Sequence, residues 1–318
     1  MYRGRAAEFD PASLAFSPEL RGGSPVPPPP YRTPAATSVG AQPLRLITRK
    51  LQSKDPAFAF RHGSQLNRLV LNVANFCNLK CVYCYAQGGD YGGPHEKMPI
   101  EIGRAAFDRY FELYETISVV QFFGGEPLLN WKTIDQLCEY AWTRADALGR
   151  ARPTFTTITN GTVMTPEIIA MIRAYDIKIT VSLDGPPAIT DHLRPMRDPN
   201  AGGTTRLVTD NIRRLRQETN QPAQIEGTYG RAHVEQRCTV TDILRYVSDE
   251  LGVSQIHLPL NSLGSAGEAD PHAIRDEDFE WVSGSYADAV AHTIQVVVES
   301  RSPSCACCGL LVDALLAA

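Results

Sequence analysis

At 318 residues, with 43% hydrophobic and 21% charged residues, the chain has ordinary globular composition and enough apolar material for a sizeable core. A formal net charge of −4 without a long basic stretch argues against nucleic acid as an obligate partner. No apolar run reaches membrane-spanning length, and Arg3 and Arg5 are not followed by the apolar stretch of a secretory signal. The expectation is therefore a cytoplasmic protein, without a membrane partner, whose cysteines stay reduced.

Residues 1–43 hold nine of the 23 prolines, four of them in the run 27–30, among Gly, Ser, Ala and Thr. Such a segment cannot bury enough surface to offset the entropy of ordering it, so a disordered tail is expected. The proline run would also suit an SH3-like groove. Residues 44–65 read as a lead-in. From Leu66 onward, strand and helix signals alternate. Residues 69–73 predict a first buried strand, and Ile102, Ala106, Tyr110 and Leu113 mark the apolar stripe of a helix over 99–114. Residues 118–123 predict strand two, 131–148 a helix and 154–159 strand three. Pro166 then opens a helix at a favourable first position. Residues 177–183 predict strand four, and a loop through Arg194 and Gly203 leads into a helix over 205–218. Strand five over 223–229, a helix over 240–251, strand six over 254–260 and a last helix over 276–299 complete the series.

This alternation implies an α/β fold with a parallel sheet and crossover helices. Six units suit a partial (β/α)6 TIM-like barrel, with a disordered N-terminal tail and a short C-terminal helical extension. A doubly wound open sheet is the alternative. The domain reading is a tail over 1–43, the lead-in 44–65, the barrel over 66–262 and an extension over 263–318.

Three cysteines lie in one loop directly after strand one, spaced Cys77-x3-Cys81-x2-Cys84, and three more at Cys305, Cys307 and Cys308. Tight clusters of this kind suggest metal rather than disulfides. An iron–sulfur cubane is usually held by four thiolates, so three on one loop leave one iron open for chemistry. Zinc also suits thiolates, and His95 is the nearest fourth ligand. Asn78 and the Gly88-Gly89 pair permit the sharp turns of the loop, and Tyr83 sets an aromatic ring beside the last cysteine.

In a parallel barrel the functional groups collect at the carboxyl ends of the strands. After strand two comes Phe122-Phe123-Gly124-Gly125-Glu126-Pro127, where glycine lets the backbone approach a ligand and Glu126 supplies a carboxylate. A plain tight turn is the other reading. Thr159-Asn160-Gly161 ends strand three and reads equally as a turn. Ser182-Leu183-Asp184-Gly185-Pro186 ends strand four, with Ser182 and Asp184 aimed at the barrel mouth and Asp191 and Arg194 following. His257, in strand six, reads as a packed or solvated histidine rather than a base.

The segment Cys77-Asn78-Leu79-Lys80-Cys81-Val82-Tyr83-Cys84 resembles the signature of radical S-adenosylmethionine (SAM) enzymes. The resemblance covers about 66–260. It implies that Cys77, Cys81 and Cys84 hold a [4Fe–4S] cluster whose unique iron is chelated by SAM. Reductive cleavage then gives methionine and a 5′-deoxyadenosyl radical that abstracts hydrogen from substrate. By the same resemblance, Gly124, Gly125 and Glu126 receive the SAM amino group. Asn160, Ser182 and Asp184 contact its ribose and carboxylate, and Arg194 is a carboxylate partner.

The combination CNLKCVYCYA, FFGGEPLL, TNGT and SLDGPPAITDHLR is most similar to the SPASM-containing branch. That implies a peptide or protein substrate undergoing maturation: ribosomal peptide crosslinking, sulfatase maturation, or maturation of quinohemoprotein amine dehydrogenase. It also implies an electron donor such as flavodoxin or ferredoxin. The branch carries a cysteine-rich C-terminal extension for auxiliary clusters, of which Cys305, Cys307 and Cys308 look like a truncated or altered remnant. Free thiols and a separate metal site are the other readings of that trio. An N-terminal winged-helix element of the branch is not recognisable in 1–65. A noncatalytic or truncated iron–sulfur or SAM-binding protein is the second functional expectation.

Overall fold

The computed structural model describes residues 65–261 and 270–300. The proline-rich segment 1–43, the lead-in up to residue 64 and the trio Cys305, Cys307 and Cys308 lie outside the described residues. Strands β1 (Gln65–Ala74), β2 (Thr116–Gly124), β3 (Thr154–Thr159), β4 (Lys178–Ser182), β5 (Gln224–Glu226) and β6 (Ile256–His257) form one sheet. Each strand runs parallel to the next. Spatial order equals chain order, so the winding never reverses as a doubly wound sheet requires. The partial barrel expected from the sequence is the fold.

Helices α1 (Ile100–Leu113), α2 (Trp131–Ala147), α3 (Pro166–Tyr175), α4 (Pro187–Leu193), α5 (Thr204–Thr219), α6 (Arg231–Glu235) and α7 (Val240–Arg245) connect the strands, and α8 (Phe279–Ser300) follows them. Local chemistry sets their ends. Thr165 caps α3 by accepting from the Ile168 N–H, Pro166 occupies the first turn, and Asp176 ends the helix in a left-handed conformation. Along β4, Ile179 and Val181 are fully buried and belong to one core with Ile168, Ile172, Val208, Ile212 and Leu215 of the helices. The alternate strand positions face the other way, so that Ile158, Ser182 and Glu226 line a cavity.

Four details differ from the sequence expectation. The buried stripe of α1 is Gly103, Phe107 and Phe111, while Ile102 is exposed. Burying two phenylalanines, at about 1.5–3 kcal/mol each, outweighs hiding one isoleucine. Residues 187–193 form a helix rather than a loop, because the Thr190 hydroxyl accepts from the Gly185 N–H and donates to the Gly185 carbonyl, closing the turn that precedes α4. The helix predicted over 240–251 is α7 followed by a π turn at Tyr246–Glu250. Strands five and six keep regular pairing only to Glu226 and His257, because Pro259 has no N–H. The Gly227 and Tyr229 N–H groups still bond the His257 and Pro259 carbonyls (both 2.9 Å) on the way to a bridge between Tyr229 and Leu260.

Candidate cofactor site

The cysteine loop leaves β1 at Ala74 and is held from two sides. Backbone bonds from Lys80 N–H to Pro195 O (2.9 Å), from Val82 N–H to Leu193 O (3.0 Å) and from Arg197 N–H to Asn78 O (2.9 Å) tie it to the segment after α4. Leu79, 1% exposed, anchors it in the core. On the other side it lies against the Gly124-Gly125 turn. A side chain at Gly125 would collide with the Phe76 carbonyl, and one at Gly89 with the Gly125 backbone. The two loops therefore cross backbone to backbone, which glycine alone permits.

The three thiols are half-buried. The Leu79 N–H and the Asn160 Nδ2 donate to Cys77 Sγ at 3.4 and 3.5 Å, and the Gly88 N–H donates to Cys84 Sγ at 3.4 Å. Burial pushes the Cys77 thiol up, helped by the Glu126 carboxylate, and pushes Cys81 up to about 12 against the lowering pull of Arg194. Thiols so placed ionise on meeting a cationic metal centre.

Two carboxylates predicted to face the ligand instead brace the loops. Glu126 is fully buried; it accepts from the Leu128 N–H (2.9 Å), the Thr159 Oγ1 (2.7 Å) and the Asn160 N–H (2.7 Å). Burial raises its pKa to about 7 against the pull of those three bonds. Asp184, also fully buried, accepts Arg194 in a bidentate pair (2.9 and 2.9 Å), the Tyr83 Oη (2.6 Å) and the Thr228 N–H (2.9 Å). Asp191 caps α5, accepting from the Thr205 N–H and Oγ1.

A cavity of about 400 Å³ opens at the carboxyl ends of the strands. Cys77, Cys81 and Cys84 face it together with Gly124, Gly125, Asn160, Ser182 and Arg194, so the structure gathers these predicted residues at one place. Glu126 and Asp184 lie beneath its wall. His95 stands apart, stacked on Phe76 and 3.1 Å from Asp90. Glu226, Thr228 and Asn261 also line the cavity, and Tyr85, Tyr91 and Leu260 rim it with exposed apolar surface. The sequence reading missed Glu226, Thr228 and Asn261. For Glu226 the signal was present, since it is the register partner of Ser182, but strand five was drawn past it.

The donor set fits an iron–sulfur cluster. Among the described residues no three His, Cys, Asp or Glu groups converge tightly enough for a single metal ion. A cubane does not need that convergence, because each thiolate binds a different iron. Backbone N–H groups already aimed at two of the sulfurs are the bonds that stabilise a charged cluster.

Residues 71–225 match the family model of the Radical SAM superfamily. The chain carries a Radical SAM domain. Its cofactors are a [4Fe–4S] cluster and SAM. An uncharacterized protein of Methanocaldococcus jannaschii is 34% identical over 42% of this chain and 43% of its own length. The Radical SAM cyclopropyl synthase TigE of Paramaledivibacter caminithermalis is 29% identical over 39% of this chain and 28% of its own. The Fe-coproporphyrin III synthase of Methanosarcina barkeri is 30% identical over 45% and 37%. The chain thus spans less than half the length of each of these relatives. The solved structure of anSMEcpe with bound AdoMet and Kp18Cys peptide shares the Radical SAM fold, with a TM-score of 0.60 at 17% identity over 73% of this chain and 62% of that one. Among the described residues no helix is long and apolar enough to cross a membrane.

Proposed function

We propose that Cys77, Cys81 and Cys84 hold the cluster and that the neighbouring strand ends hold SAM, for hydrogen abstraction from a peptide or protein substrate. The observation that carries the reading is the single cavity shared by the three thiols, the Gly124-Gly125 backbone, Asn160, Ser182 and Arg194. When bound there, the reduced cluster supplies an electron that cleaves SAM for radical chemistry. The protein's own part is to place and enclose. Gly124 and Gly125 bring backbone groups to the cavity without side chains, and the Asn160 amide is fixed by Asn78 (2.9 Å) and Thr162 (2.6 Å). Ser182 and Glu226, paired across β4 and β5, offer a hydroxyl and a carboxylate to polar groups of the ligand.

The wide mouth rimmed by Tyr85, Tyr91 and Leu260 suits an extended chain entering from solvent and supports a peptide substrate. A one-electron donor protein of the flavodoxin or ferredoxin class would supply the reductant. Relatives named for a cyclopropyl synthase and a coproporphyrin synthase motivate a second reading, in which the Radical SAM core serves a substrate other than a peptide.

Anaerobic reconstitution with iron and sulfide, followed by dithionite and SAM, tests the first step by release of 5′-deoxyadenosine. Iron-loaded protein that never cleaves SAM would overturn it in favour of a binding role. Adding peptides encoded beside the gene, then coproporphyrin, separates the substrate readings by which addition leaves a mass change.

A further inference from the structure

We propose that Asp184 is a positioning residue for the cluster, locking the stretch between Cys81 and Cys84 and balancing the charge of Arg194 beside it. The inference rests on the reading that those cysteines carry the cluster.

A carboxylate offers about four lone-pair positions. Four donors occupy them at Asp184: two from Arg194, one from Tyr83 and one from the Thr228 backbone. None is left for a ribose hydroxyl, so the side chain serves the protein rather than SAM. Tyr83 lies within the three-cysteine loop, and its phenol reaches 101 residues along the chain to Asp184. The Arg194 guanidinium sits 5.5 Å over the same ring. One buried group therefore holds the ring from its edge and, through Arg194, from its face. The backbone of Asp184 is fixed in turn by His233, whose Nε2 lies 3.0 Å from the Asp184 carbonyl while its Nδ1 accepts from the Gly230 N–H.

The second part concerns charge. Arg194 lines the same cavity as Cys81 and is paired there with Asp184 at 2.9 Å. Both are buried, where charges are poorly screened. As a pair they present little net charge to the cluster. Arg194 without Asp184 would favour the reduced cluster, which carries one more negative charge, and Asp184 without Arg194 would disfavour it.

The test uses the reconstituted full chain, with iron and sulfide content measured first and the cluster then titrated by EPR without SAM. In Asp184→Asn the midpoint potential should rise by at least tenfold in the reduction equilibrium, 59 mV for one electron. In Arg194→Gln it should fall, and in the double variant Asp184→Asn/Arg194→Gln it should return toward the wild-type value. A brace without an electrostatic role gives a double variant no closer to wild type than either single one, and that result overturns the charge argument. Tyr83→Phe keeps both charges and loses a neutral donor. Its potential should hold while its SAM dissociation constant, read by equilibrium binding, rises several-fold. Unchanged SAM affinity in that variant overturns the lock, including where neither charge variant folds. Wild-type protein that takes up no iron would instead remove the cluster reading beneath both.

Discussion

The two ends of the sheet are built differently. β1 and β2 are paired along their length, from Gln65 with Thr116 to Ala74 with Gly124, whereas β5 and β6 share the pairs Ile225–Ile256 and Glu226–His257. Above the first four strands, buried carboxylates gather the loops: Glu126 joins the ends of β2 and β3, and Asp184 joins the cysteine loop to the end of β4. Above the last two strands the wall is Glu226, Thr228, Leu260 and Asn261, tied back through the Thr228 N–H to Asp184 and through the Asn261 Nδ2 to Asp270. One side is braced for a cofactor whose place must not vary. The other is the more open, with fewer strand pairs and an exposed Leu260 at its rim, as a region that must admit and release a substrate is expected to be.

If that contrast is right, damage to the braced side should be severe and damage to the open side selective. Cys81→Ala should abolish iron uptake and 5′-deoxyadenosine release altogether, while circular dichroism shows the barrel largely folded. Complete unfolding would make the cluster a structural support. Gly125→Ala should come next. A methyl group driven into the Phe76 carbonyl costs about 1–3 kcal/mol, visible in chemical denaturation together with reduced iron content. A neutral result would mean that the two loops do not need their close crossing.

On the open side, Glu226→Gln should leave iron content unchanged and stability within about 0.5 kcal/mol. Ligand-dependent turnover should nonetheless fall about tenfold, equivalent to the loss of one good charged hydrogen bond. Equal turnover by wild type and variant would remove Glu226 from the site. The smallest effect concerns pH. Burial lowers the His233 pKa, so the folded state resists a proton that the unfolded chain accepts. Its stabilising contribution is complete above the ordinary imidazole value of about 6.5 and is lost as the pH falls below it. His233→Gln should flatten that acid limb in urea melts at graded pH, and an unchanged limb would assign it to other groups.

The sequence carried the braced side further than the open one. Alternating apolar runs ended by Gly-Gly, Asn-Gly and Asp-Gly locate β1 to β4 closely, because turn chemistry is local. The same locality explains the misses. Glu126 and Asp184 are recognisable as carboxylates at strand ends, but whether they face a ligand or turn inward depends on donors that lie 33 and 101 residues away. The stripe of α1 was misplaced because Gly103 looks polar by composition yet lies under Leu137 in the core. At β5 the ladder loses one bond after Glu226 because Pro259 of the partner strand has no N–H, and it resumes at Tyr229 and Asn261, so the expected span of strand five is the more nearly right one.

The order of the sheet also says something about assembly. Every strand pairs with its neighbours in the chain, so the barrel can be laid down progressively, each βα unit closing on the one before it. The cysteine loop is made early in this sequence, yet its lock waits for Asp184 and Arg194 to emerge and for β4 to dock. Cluster insertion into a nascent chain shorter than that would meet three thiols on a loop held from one side at most, which ties metallation to the completion of the fourth strand.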